Sequence, residues 1–180
     1  RHTSPALLKA NADLSSVGSY VLGAGFIFDD ASLDRGSSPL ADMEHLISKA
    51  PTNAERIRPY LGGAEFNENP RQATSRHIID FEEMPLDEAS RWPDLLKLLE
   101  EKVKPARAQV SQRDRRDLWW LHATRAPGVR TFLQTHRRCI ACSQLSQRYA
   151  FAFVEPGTVF SLTLVLFLFD DFGSFSVLQS

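Results

Sequence analysis

Apolar positions follow a helical rhythm in parts of the chain and a strand rhythm in others. Leu40, Met43, Leu46 and Ile47 recur at three- and four-residue spacing, which predicts a helix over 40–49 that Pro51 stops. Leu95, Leu98, Leu99 and Val103 form a second stripe, within helical pieces over 85–116 that Pro93 and Pro105 divide. Each proline suits the first turn of a new helix. Pro127 opens another short helix, to about Gln134. The segments 138–142, 149–154, 158–162, 164–169 and 175–178 are short and rich in β-branched or aromatic residues, and turn residues such as Pro156-Gly157 and Asp170-Asp171 part several of them. They read as strands, as do Tyr20–Phe28 and His77–Phe81, while Tyr60-Leu61-Gly62-Gly63 and Asn67–Pro70 read as turns. A helical first part followed by a mostly antiparallel sheet predicts an α+β fold. Residues 1–15 read as a lead-in or linker.

Composition narrows the class. With 180 residues, 43% hydrophobic and 24% charged, the chain can bury one ordinary core. The longest nearly unbroken apolar run, Val159–Phe169, is far shorter than the roughly 20 residues a membrane helix needs. No secretion signal is read, and the expected location is cytoplasmic with no membrane partner. Two cysteines make no disulfide scaffold.

The formal net charge of −1 conceals a segregation. Residues 102–148 hold eleven Lys or Arg against Asp114 and Asp117, a net +9, and the remainder is −10. Such a segment suits a polyanion, or else balances acids that pack nearby.

Three patterns resemble catalytic or metal motifs. Val21-Leu22-Gly23-Ala24-Gly25 is like a nucleotide-pocket turn, but a strand rather than a helix is read after it. Pro93-Asp94, Glu100 and Lys102 compress a nuclease signature, yet on one helix at about 100° per residue their side chains diverge. His136, Cys139 and Cys142 have short metal-like spacing but lack a fourth ligand, and strand alternation parts the two thiols, so buried small hydrophobes is the preferred reading. No catalytic residue and no metal site is assigned.

Several stretches in order resemble the target-recognition region of MmeI-like restriction–modification enzymes: Gly18–Phe26, Arg58–Asn67, Arg76–Phe81, Val103-Lys104-Pro105 with Arg107, Trp119-Trp120, Arg138–Ala141, Tyr149–Phe151, and Asp170-Asp171 leading to Phe175–Ser180. The likeness spans residues 16–180 and departs over Cys142–Arg148. It implies a DNA target-recognition domain, incomplete at its C-terminal side, that does no catalysis itself. The parent would be an adenine-N6 DNA methyltransferase, or a type II restriction enzyme carrying one. Its partners would be double-stranded DNA and the methyltransferase domain of the same parent chain. S-adenosylmethionine, with Mg where a nuclease is fused, would belong to that parent and no cofactor to this region.

Such a domain grips phosphates and reads base edges. The expected phosphate contacts are Lys104, Arg107, Arg113, Arg115, Arg116 and Arg130, any of which could instead pair with an acid such as Glu100, Asp114 or Asp117. The expected base readers are Gln144, Ser146, Gln147 and Arg148, on what reads equally as a plain polar hairpin tip. Tyr149, Phe151 and Phe153 alternate on one strand face and read as core. The competing function is a protein-interaction or scaffolding module with no nucleic-acid ligand.

Overall fold

A computed structural model describes residues 13–146 and 149–180. The fold is α+β and contains two four-stranded sheets. The first sheet runs β1 (Ser15–Val17), β8 (Leu164–Phe167), β5 (Cys139–Ser143), β6 (Phe151–Val154), antiparallel throughout. The second runs β2 (Ile27–Phe28), β4 (His77–Ile79), β3 (Ile57–Leu61), β7 (Val159–Phe160), antiparallel except for the parallel β3–β7 pair. The helices are α1 (Leu40–Lys49), α2 (Gly63–Glu68), α3 (Leu86–Ala89), α4 (Pro93–Lys102), α5 (Lys104–Arg107), α6 (Arg113–Asp117), α7 (Pro127–Thr135) and α8 (Phe172–Gln179).

Each sheet has its own core. Leu95, Leu99 and Val103 of the α4 stripe join Phe26, Phe28, Ile78, Ile79 and the three tryptophans in one core. Fully burying a leucine contributes about 1.5–3 kcal/mol, so this single stripe outweighs any helix propensity in fixing α4. The other core gathers Cys139, Ala141, Leu164 and Leu166 with Phe66 and Val129.

The two sheets meet at Gly18-Ser19. Gly18 N–H donates to Leu164 O, Ser19 N–H to Phe160 O, and Leu162 N–H to Ser19 O. A Cβ on Gly18 would lie 2.2 Å from Ser161 O and 2.4 Å from Phe160 O, so only glycine permits this approach.

Four sequence expectations are corrected. Tyr20–Phe28 is not one strand: the backbone turns at Leu22 (φ 50) and Gly23 (φ 137), a 3-10 turn follows over Ala24–Phe26, and only Ile27–Phe28 pairs. Close packing on α4 forces the break, because a Cβ on Gly25 would come within 2.6 Å of Lys102 Cβ. Tyr60 and Leu61 close β3 rather than form a turn. Phe175–Leu178 belongs to α8, because Asp171 caps that helix by accepting from the Ser174 N–H at 2.8 Å and from its hydroxyl at 2.7 Å. Nor do all strands follow the helices, since β1–β4 lie in the first half of the chain.

Candidate nucleic-acid interface

The eleven cations of the basic segment have several different fates. Arg107 is 1% exposed. Its guanidinium donates to four main-chain carbonyls: Leu22 and Arg115 at 2.9 Å, Val21 at 2.9 Å and Leu121 at 3.0 Å. Its expected phosphate contact is therefore corrected: four of its five N–H groups are spent on main-chain carbonyls, and the residue clasps α5 to the bend at Val21-Leu22. Burial, and then the nearby Arg115 charge, lower its pKa below the ordinary arginine value.

Arg138 lies 3.7 Å from the Phe153 ring and 4.5 Å from Phe172, while its Nε donates to Asp170 O. Arg125 pairs with Glu83 at 2.7 Å, and Arg130 with the buried Asp80 at 2.7 Å. Arg130 is thus mostly committed to the fold, although it still lines a cleft.

The cations on and beside α6 are different. Arg113, whose side chain is 83% exposed, and Arg116 both lean on Asp117. Exposed pairs of this kind contribute about 0.3–0.5 kcal/mol, so an arriving phosphate diverts them at small cost. Lys104 pairs with exposed Glu100 and sits 4.9 Å over the Trp119 ring, and Arg115 lies over Tyr20 at 5.6 Å. Arg137 is exposed and has no ion pair among the described residues.

The β5–β6 hairpin tip is joined to this cluster by a short run of contacts. Gln144 N–H donates to Thr163 O and its Nε2 to Leu162 O. Leu162 bonds Ser19, and Tyr20, next in the chain, exchanges main-chain bonds with Thr124 and carries the Arg115 cation on its ring. Gln144 is exposed and Ser146 half-buried, whereas Gln147 and Arg148 lie outside the described residues. Leu145 and Tyr149 are 79% and 82% exposed, which departs from the reading of Tyr149 as core, while Phe151 and Phe153 are half-buried. Phe153 stacks on Phe175 at 4.8 Å.

One polar element escaped the sequence reading. The end of α2 and the turn after it place Asn67, Asn69 and Gln72 along a groove of about 550 Å³ whose other wall is Ser146, Ala150 and Phe151. Asn67 Nδ2 donates to Ser143 Oγ at 3.3 Å, tying this turn to the hairpin base. The sequence signal was present, three carboxamides within six residues, but nothing local says what they face.

A second cleft, about 240 Å³, lies between α7 and the second sheet and is lined by Arg58, Arg125, Arg130, Asp80 and Glu82. Behind it Asp80, 3% exposed, accepts from Arg130 and from the Glu82 N–H at 2.9 Å. Burial pushes the Asp80 carboxyl up, but His122, Arg130 and the Glu82 amide outweigh it and hold the acid below the usual carboxylate range. Burial lowers the His122 pKa despite the opposing pull of Asp80. The imidazole Nε2 is 2.9 Å from Ile79 O, and Nδ1, 3.8 Å from Asp80, has no hydrogen bond. A neutral ring donating through Nε2 fits both distances.

The catalytic look-alikes separate. Asp94 pairs with Lys49, Glu100 with Lys104, and Lys102 donates to Ser37 O, so the three point to different neighbours. Cys139 and Cys142 are buried, and desolvation pushes the Cys139 thiol up to about 12, far from a thiolate ligand. Among the described residues no three His, Cys, Asp or Glu converge as a metal-ligand set. No helix among them is long and apolar enough to cross a membrane.

No protein-family model matches the chain, and no curated protein matches it. Among solved structures, the type IIL restriction-modification enzyme MmeI, determined in complex with DNA, matches 92% of this chain with a TM-score of 0.69 and 17% sequence identity. The chain spans 20% of that enzyme's length. The likeness is one of fold.

Proposed function

We propose that the chain is a target-recognition domain for double-stranded DNA, the specificity part of a larger adenine-N6 DNA methyltransferase or restriction enzyme, with no catalysis of its own. One observation carries this reading: nearly the whole chain shares its fold with a fifth of a restriction-modification enzyme solved on DNA. Two features of the surface support it. Exposed Lys104, Arg113 and Arg116 form a cationic group with half-buried Arg115, and a polar hairpin tip is joined to that group through Ser19-Tyr20. The first supplies a grip blind to sequence, driven by counterion release, and the second presents side chains to base edges. S-adenosylmethionine, and Mg where a nuclease is fused, would bind elsewhere in the parent chain, whose methyltransferase domain would share the DNA with this one.

Fluorescence anisotropy on a random-sequence 20-base-pair duplex tests the grip. Four phosphate contacts give a slope of log K against log salt of about −3.6, a loss of roughly 150-fold between 50 and 200 mM salt. Arg115→Ala lowers the slope by about 0.9 and weakens all sequences alike. Arg148→Ala changes which base is preferred. Absence of duplex binding at 50 mM salt would overturn the reading in favour of a protein-interaction module.

A further inference from the structure

We propose that residues 67–72, the end of α2 and the turn after it, are a second base-reading element, set against the flank of the β5–β6 hairpin. The proposal rests on the DNA-binding reading above and names which further residues carry its specificity. The loop end of the β5–β6 hairpin is what would meet base edges, because β5 is itself paired on both sides, by β6 and β8. Asn67 is tied to Ser143 at that end, and the groove between them is walled by carboxamides on one side and by the hairpin on the other. A loop end entering a DNA groove therefore brings residues 67–72 to the same or the adjoining base pairs.

The carboxamides are held before any ligand arrives. Asn69 Oδ1 accepts from the Arg71 N–H at 2.9 Å, and Gln72 Nε2 donates to Pro70 O at 3.1 Å. Gln72 itself has φ 50, a left-handed conformation that a glutamine rarely adopts and that the turn maintains. Each amide thus uses one half on the protein. Among the described residues the Asn67 Oδ1, the Asn69 Nδ2 and the Gln72 Oε1 make no hydrogen bond, leaving two acceptors and one donor on a rigid frame. That pattern recognises complementary base edges: the donor suits guanine O6 or N7 or thymine O4, and the acceptors suit the amino groups of adenine or cytosine. Arg71, exposed in the same turn and without an ion pair among the described residues, adds a phosphate contact beside the readers.

Selection from a randomised 20-base-pair duplex library, followed by sequencing, tests this with two variants chosen to keep the turn. Asn69→Asp preserves the acceptor that bonds Arg71 N–H but turns the outward donor into an acceptor. Gln72→Asn keeps an amide in a residue that tolerates φ 50 while withdrawing its carbonyl by one methylene. Wild type is expected to enrich a consensus, and each variant to lose or invert preference at one or two of its positions by about tenfold, with the others unchanged. Far-UV circular dichroism identical to wild type excludes unfolding as the cause. Variants that enrich the wild-type consensus undiminished overturn the proposal and leave the DNA-binding reading standing. A wild-type protein that binds duplex without enriching any sequence overturns this proposal and base reading by the hairpin together.

Discussion

Arg107→Met asks whether a buried guanidinium is a clasp or a DNA contact. Four hydrogen bonds from a charged donor contribute about 1.5–3 kcal/mol each before the cost of burying the charge is counted. That cost is several kcal/mol for a single ion, and methionine removes it along with the bonds. The thioether also fills most of the stem volume next to Phe26, so little is lost in packing. What remains is four carbonyls, those of Val21, Leu22, Arg115 and Leu121, stripped of their donor. An unpaired buried acceptor costs about 1–3 kcal/mol, so with the cost of burying the charge removed the net loss is about 3–5 kcal/mol. For a chain of this length each kcal/mol lowers Tm by about 2–4 °C, so thermal melting should fall by about 6–20 °C. Arg107→Lys should lie between, since one ammonium cannot fan out to four acceptors. The salt slope of duplex binding, measured below the new Tm, should not change. Melting within about 2 °C of wild type, with a slope reduced by about 0.9, would show that the side chain meets phosphate and that the clasp argument is wrong.

Gly18→Ala drives a methyl into two main-chain oxygens that cannot rotate away, and about 3 kcal/mol should be lost from the urea midpoint at unchanged m-value. Arg130→Ala leaves Asp80 buried without its 2.7 Å partner, which should cost about 3–5 kcal/mol at neutral pH by the same assay. The depressed Asp80 pKa stabilises the fold above the ordinary carboxylate value of about 4, and this contribution is lost as pH falls through the folded value, so Arg130→Ala should flatten that acid limb. His122 also titrates below its ordinary value of about 6.5. The unfolded chain therefore takes up the proton first, and stability should decline as pH drops below 6.5. His122→Gln, which can still donate to Ile79 O, should abolish that decline between pH 6.5 and 5, and an unchanged profile would place the titration elsewhere.

The longer helices α1, α4 and α7 were the legible part of the fold, whereas α2 was not read as a helix and α8 was read as a strand. The boundaries of α1 coincide with the apolar rhythm and Pro51, and α4 and α7 begin at the prolines that the sequence placed in first turns. These signals are local, resting on residues three or four apart. The errors arose where distant residues decide. Tyr20–Phe28 has the composition of a strand, but α4 and Arg107, some eighty residues later, bend it. The α8 segment has strand-like aromatics, and the signal for its start, the Asp171 cap on Ser174, went unread because Asp170-Asp171 was taken as a turn.

The segregated charge shows most clearly why a site is harder to read than a fold. Composition presents 102–148 as one basic tract, whereas the structure divides it by what each guanidinium can reach. Arg107 finds four carbonyls, Arg138 two rings, and Arg125 and Arg130 acids contributed by 80–83, while the α6 group keeps partners weak enough to exchange for phosphate and Arg137 has no ion pair among the described residues. Ion pairs across the fold take up Arg125 and Arg130, carbonyls and rings hold Arg107 and Arg138, and Lys104, Arg113, Arg115 and Arg116 remain as a group on and beside α6. The carboxamides of 67–72 follow the converse rule. They sit in the acidic remainder, where no charge argument would look, and become candidates only because Asn67 meets Ser143, 76 residues further along the chain. A recognition surface assembled in this way depends on the hairpin and the turn holding one geometry. Ser143, buried at the junction and accepting from both Asn67 Nδ2 and the Leu145 N–H, holds that geometry, and under the proposed function it would bear on base reading without touching DNA.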